Sequence, residues 1–166
     1  MLFRSGLVPA LTDGDVTLTQ SLAILEYLDE CHPQPPLLPG SAAERARVRS
    51  LAMDIACDVH PLNNLRVLKQ LSQQFGADDE AKQVWMAHWM TQGFAAFEAR
   101  IQGSAGLCCV GDAPTLADIA LVPQVFNAER FGVDLTPYPT IRHVVAHCRG
   151  LQAFQRAAPA QQPDAE

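Results

Sequence analysis

The sequence predicts a mainly α protein: a short β-hairpin with one helix, a stiff proline-rich joint, and then an all-helical domain. Three observations predict it. Apolar residues recur every three or four positions through Val48, Leu51, Ile55, Val59, Leu62, Leu65 and Leu68, and again through Met86, Met90, Phe94, Phe97 and Ile101. That is the period of helices with one buried face. Ahead of this tract, residues 33–41 hold Pro33, Pro35, Pro36, Pro39 and Gly40, a composition that cannot continue a helix and stiffens a linker. Upstream of the linker, Val8-Pro9-Ala10-Leu11-Thr12 and Val16-Thr17-Leu18-Thr19 flank the turn residues Asp13-Gly14-Asp15, which reads as two strands in a tight hairpin.

A helix follows the hairpin at once. Ser21 is expected to cap it, and Leu22, Ile24, Leu25, Tyr27 and Leu28 supply its apolar stripe. The linker sets the boundaries: a small unit over 1–32, the joint over 33–41, and the helical domain over 42–166. Pro61 interrupts the first long helix of that domain, so a kink near His60 or a short break is expected. A third helix starts near Thr115, where Thr115 and Asp118 have capping-box spacing, and runs to Asn127 or beyond. A fourth occupies Pro139 to Gly150, a short turn follows over Leu151 to Ala157, and Gln161 to Glu166 reads as a loose tail.

With 166 residues, 48% of them hydrophobic, the chain can bury roughly 70% of the surface its unfolded form exposes, enough for one domain or one domain plus a fragment. A net charge of −6, with the basic residues scattered, argues against a nucleic-acid partner and for a small ligand. Lys69 and Lys82 are the only lysines, so the basic set is mostly arginine, the better fork for a carboxylate. No apolar run reaches bilayer length, so no membrane span is expected. Five cysteines without a Cys-x-x-Cys pair, in a sequence with no export signal, fit a reducing, cytoplasmic compartment.

Two local features suit a ligand. An X-Pro bond at Val8-Pro9, just before a strand, is a place where a cis peptide can turn backbone groups outward. Gln20-Ser21 stands where strand becomes helix, and a helix start with a free hydroxyl is an anion site; the same residues also make a plain N-cap. His143 and His147, four apart on a helix without a third ligand nearby, read as surface histidines, and no metal site is expected. Cys108-Cys109 and the Trp85/Trp89 pair read as packing residues.

The segments "LVPAL", "QSLAILEYL", "PLNNLRVL", "VGDAPTLADIALVPQV", "NAERF" and "VDLTPYPTI", in that order, resemble the zeta-class glutathione transferases, the group of maleylacetoacetate and maleylpyruvate isomerases. The likeness runs from about Gly6 to Gln162. It implies an all-helical C-terminal domain preceded by the second half, hairpin plus helix, of a thioredoxin-like α/β domain. It also implies glutathione as cofactor, a small dicarboxylate substrate and a homodimer.

Residue by residue, the resemblance makes Val8, beside Pro9, the backbone partner of the cysteinyl part of glutathione, and Gln20 and Ser21 the pair that holds its γ-glutamyl end. His60 and Asn64 match positions lining the same site. Arg130 matches the arginine directed at a substrate carboxylate, and Arg66 falls where maleylpyruvate isomerases have an arginine. The chemistry implied is addition of the glutathione thiolate to a cis double bond, rotation, and elimination. Arg130 would face the cleft between the hairpin unit and the helical domain. The family's thiol-activating Ser-Ser-Cys-type motif has no counterpart here, so the expectation is a chain without the first strand, helix and second strand of the α/β domain, and without turnover. A non-catalytic binding or dimerisation module, and glutathione conjugation or dehalogenation, are the alternatives.

Overall fold

The computed structural model describes residues 8–163 and 165. Strands β1 (Ala10–Asp13) and β2 (Val16–Thr19) pair antiparallel in the register Ala10 with Thr19 and Asp13 with Val16. Asp13 is therefore the last residue of a strand rather than part of the turn, which Gly14 and Asp15 make alone. The sheet has two strands, so among the described residues the outer edge of β1 is unpaired along Ala10 to Thr12.

Helix α1 (Ser21–Cys31) follows directly. Ser21 is its first helical residue and not its cap; the cap position falls to Gln20, whose side chain makes no capping bond. The reason is backbone: Gln20 takes φ 74° and ψ 123°, which turns the strand into helix within one residue. Ile24 is buried, while Leu22 and Leu25 are half-buried against the helical core. A two-pronged ion pair from Arg49 to Glu26, at 2.8 and 3.0 Å, fastens α1 to α2 (Ala42–Met53). The Tyr27 hydroxyl donates to Asp13 at 3.0 Å, tying α1 back to the hairpin, and that bond pushes the phenol up to about 12.

The proline-rich joint ends in a capping box that the sequence reading missed: Ser41 accepts the Glu44 N–H, and Glu44 accepts the Ser41 N–H. The break expected near His60 is present. Helix α2 runs into a π-helical segment (Asp54–Val59) and a 3-10 turn (His60–Asn63) before α3 (Leu65–Phe75) begins. Pro61 has no N–H for the ladder, so the α pattern cannot pass through it, although His60 itself keeps an α backbone. Gly93, in α4 (Asp79–Ile101), lets the π segment come close: a Cβ there would lie 2.2 Å from Val59 Cγ2.

Helices α5 (Leu116–Arg130), α6 (Pro139–Gly150) and α7 (Gln152–Ala157) complete the bundle, with α5 packed on α2 and α6. Phe94, Phe97, Leu51, Met90, Leu116 and Leu121 form the centre of the core. The Thr115/Asp118 capping box is present. No helix among the described residues is long and apolar enough to cross a membrane.

Candidate functional site

Pairing of Ala10 with Thr19 puts Pro9 and Gln20 at the same end of the hairpin ladder. The Val8–Pro9 bond there is cis, and Val8 is 91% exposed. Gln20 is the one non-glycine residue with positive φ among those described, a conformation that costs about 1–3 kcal/mol and is held at sites where position matters. No side chain caps α1 and no acid stands in its first turn. Its first N–H groups and the exposed Ser21 hydroxyl therefore present the positive end of a helix macrodipole beside the cis peptide. That arrangement suits a carboxylate next to a peptide backbone.

The second group of candidates lies on the break between α2 and α3. Asn63, 5% exposed, donates to the Val59 carbonyl and accepts from Asn127 Nδ2, each at 3.3 Å, and Trp85 Nε1 donates to the Leu62 carbonyl at 2.7 Å. These bonds from α4 and α5 fix the turn that carries exposed His60 and half-buried Asn64. Asn64 is the N-cap of α3, its Oδ1 accepting the Arg66 N–H at 3.1 Å. Arg66 is exposed in the first turn of α3.

Arg130 ends α5. Gly132, at φ 69°, stops the helix in a Schellman arrangement, with Gly132 N–H on the Glu129 carbonyl and Val133 N–H on the Ala128 carbonyl. The guanidinium lies 5.8 Å from the centre of the Phe131 ring, within cation–π range. Neither neighbouring acid takes it: Glu129 binds Arg149 through both oxygens at 2.9 and 2.7 Å, and Asp134 accepts the Thr136 N–H at 2.8 Å. Arg130 lines a groove of about 850 Å³ with Leu65, Lys69, Ser72, Lys82 and Met86. The groove that holds Arg130 is thus walled by α3, α4 and the end of α5, with no hairpin residue and no Arg66 in its lining. Gln83 on α4 donates to the Phe131 carbonyl at 3.3 Å, which joins the end of α5 to α4.

Both lysines share this groove, a juxtaposition that sequence reasoning missed. Their scarcity was the available signal. A larger groove of about 1160 Å³, between the linker, α5 and α7, is mostly apolar and contains none of the candidate site residues. Buried Cys108, Asp118 and Cys148 bring one ligand atom each within 4.8 Å of one another. Asp118 is already committed, accepting from Cys109 N–H, Thr115 N–H and Thr115 Oγ1, all at 2.8 Å. Burial, reinforced by the Asp118 charge, pushes the Cys108 thiol up to about 11 and those of Cys109 and Cys148 higher still. Such thiols are poor ligands and poor nucleophiles, and the cluster serves as a locked helix start.

The chain was compared with known proteins. The N-terminal domain family of glutathione S-transferase matches residues 2–30, starting upstream of Gly6. A probable maleylacetoacetate isomerase of Vibrio cholerae is 51% identical over 97% of this chain and 75% of its own length. A maleylpyruvate isomerase of a Ralstonia species is 54% identical over 95% of the chain and 76% of its own length. Among solved structures, the holo form of a maleylpyruvate isomerase, described as a zeta-class bacterial glutathione S-transferase, superposes with a TM-score of 0.95 at 52% identity, covering 99% of this chain and 79% of that one. A maleylacetoacetate isomerase of Methylobacterium extorquens AM1, with bound malonate and GSH, gives 0.94 at 40% identity over 99% of this chain and 78% of that one. With about half its residues identical to such enzymes along nearly its whole length, the chain belongs to the maleylacetoacetate and maleylpyruvate isomerase family, the zeta class of the glutathione transferases.

Proposed function

We propose that the chain serves the glutathione-dependent cis–trans isomerisation of a substrate of maleylacetoacetate or maleylpyruvate type. The observation that carries this reading is the start of α1: a helix N-terminus without a side-chain cap, entered through Gln20 at positive φ and set at the end of the hairpin beside exposed Val8. The shape and charge of that corner fit a γ-glutamyl tripeptide. Family membership supplies the reaction, and the Methylobacterium relative, described with malonate and GSH, supports both ligand classes.

Glutathione, when bound, supplies the thiolate whose addition converts the cis double bond into a single bond free to rotate. The chain's own residues bind and orient. Ser21 and the first N–H groups of α1 hold the γ-glutamyl carboxylate, with Gln20 beside them, and the exposed Val8 backbone pairs with the cysteinyl unit. His60 and Asn64 close the same site from the helical side. Arg130 takes a substrate carboxylate by a two-pronged bond.

On this reading residues 1–32 belong to the thioredoxin-like, glutathione-binding unit, 33–41 are the linker and 42–166 the helical domain. The protein works as a homodimer in the cytoplasm. Its free cysteines, Cys31 and Cys57 exposed among them, suit that reducing compartment.

Calorimetric titration of the chain with glutathione tests the proposal. Saturable binding that Ser21→Ala weakens about tenfold, the worth of a hydrogen bond to a charged group, supports it. No heat at about 10 mM glutathione, an affinity of under roughly 3 kcal/mol, contradicts it. With a cis enedione present, isomerisation leaves the free thiol concentration constant, whereas conjugation consumes it.

A further inference from the structure

The groove beside Arg130 carries more charge than one arginine. Lys69 and Lys82, the only lysines in the sequence, both line it, and with Arg130 they make three cations against one acid, Asp79. Asp79 is spent on Lys82, whose Nζ lies 2.7 Å from its carboxylate, and that pairing holds the Asp79 carboxyl below its usual range. Neither Lys69 nor Arg130 has an ion-pair partner among the described residues. A chain of net charge −6 therefore concentrates positive charge in one concave place of about 850 Å³. A concave surface of one sign focuses the field and raises the local concentration of anions.

The walls suit an organic anion better than an inorganic one. Leu65, 70% exposed, and Phe131 give the groove apolar sides, and buried Met86 gives it a floor. Ser72 brings a hydroxyl, although that group donates to the Ala77 carbonyl at 2.7 Å and so offers an acceptor with its donor engaged. Cations at separate points around an apolar strip match a short carbon chain with a carboxylate at each end.

We infer that the groove between α3, the first turns of α4 and the end of α5 is a dicarboxylate-binding subsite, in which Lys69 and Arg130 engage the two carboxylates and Asp79 tempers the charge of Lys82. The inference rests on the reading of Arg130 under the proposed function and extends it to Lys69, Lys82 and Asp79. Lys69 is then a specificity residue: it favours substrates with a second carboxylate over those with one.

The test is titration of the full chain with maleate by calorimetry, in parallel with glutathione. Lys69→Met and Arg130→Met each weaken maleate binding about tenfold, and Lys69→Arg restores it. Asp79→Asn, which frees the Lys82 ammonium, tightens it about threefold. Glutathione affinity stays unchanged in all four variants. All three positions are exposed, and a thermal melt confirms that each variant folds. Loss with Arg130→Met alone overturns the subsite and leaves the reading of Arg130 standing. Unchanged maleate affinity in both methionine variants overturns both. A parallel loss of glutathione affinity in Lys69→Met also overturns the subsite, because the groove would then hold a carboxylate of glutathione itself.

Discussion

Glu98, buried in the middle of the bundle on α4, accepts the backbone N–H of Ile141 at 2.8 Å and, through its other oxygen, that of Thr140 at 2.9 Å. One side chain thus caps a helix whose second residue, Thr140, lies 42 residues later in sequence. Pro139 opens α6 and has no N–H, so the next two N–H groups are the ones that need acceptors, and the helix dipole favours a negative charge there. Glu98→Ala is expected to lower unfolding free energy by about 2–4 kcal/mol, and Glu98→Gln, which keeps one acceptor, by less. Urea denaturation measures both; equal effects would remove the capping role.

Gly93 reverses the usual sign of a helix substitution. Glycine to alanine inside a helix ordinarily stabilises by roughly 0.5–1 kcal/mol. Here the added Cβ would meet Val59 Cγ2 at 2.2 Å, so Gly93→Ala is expected to destabilise by about 1–3 kcal/mol. Val59→Ala in the same chain should recover part of that loss. A thermal melt in which Gly93→Ala gains stability would show that the π segment does not need the close approach.

The cysteines divide sharply. Cys31 and Cys57 are exposed, whereas Cys108, Cys109 and Cys148 are buried with raised thiol values. A thiol reagent at pH 8 should therefore titrate Cys31 and Cys57 quickly and reach the other three after denaturation. The fold holds the neutral thiols, so their contribution is whole below the ordinary thiol value of 9.0 and is lost as pH rises through about 11 for Cys108. The urea midpoint should fall across that window. Constant stability from pH 9 to 11 would contradict it.

Arg49 and Glu26 fasten α1 to α2 through an ion pair that is about a third exposed on each side. Such a pair is worth up to about 1 kcal/mol, and its removal should be felt locally. In Arg49→Ala, hydrogen exchange over α1 is expected to speed roughly fivefold, with α5 unchanged. Uniform acceleration across both helices would mean that the two units open together.

What was legible in the sequence was whatever one element decides for itself. The period of apolar residues gave α4, proline at the first position gave the start of α6, and Pro61 gave the break near His60. The π segment was not legible, because it depends on Gly93 meeting Val59 across the bundle. Glu98 looked like any acid on a helix until its distant partners were seen. Serine favours the cap position, which makes Ser21 the expected cap; the left-handed backbone of Gln20, which moves the helix start by one residue, has no composition signal. Arg130 could be named from resemblance alone, while its company with Lys69 and Lys82 arises only where three helices meet.

Amide chemical-shift mapping during a glutathione titration of the isotope-labelled chain tests the central claim most directly. The site at the start of α1 predicts that the largest shifts fall on Val8, Ser21, Leu22 and Ala23, with smaller ones near His60 and Asn64. Along α6 they should be absent. Shifts centred on another surface, or none at saturating glutathione, would contradict the assignment of this corner as the cofactor's binding place.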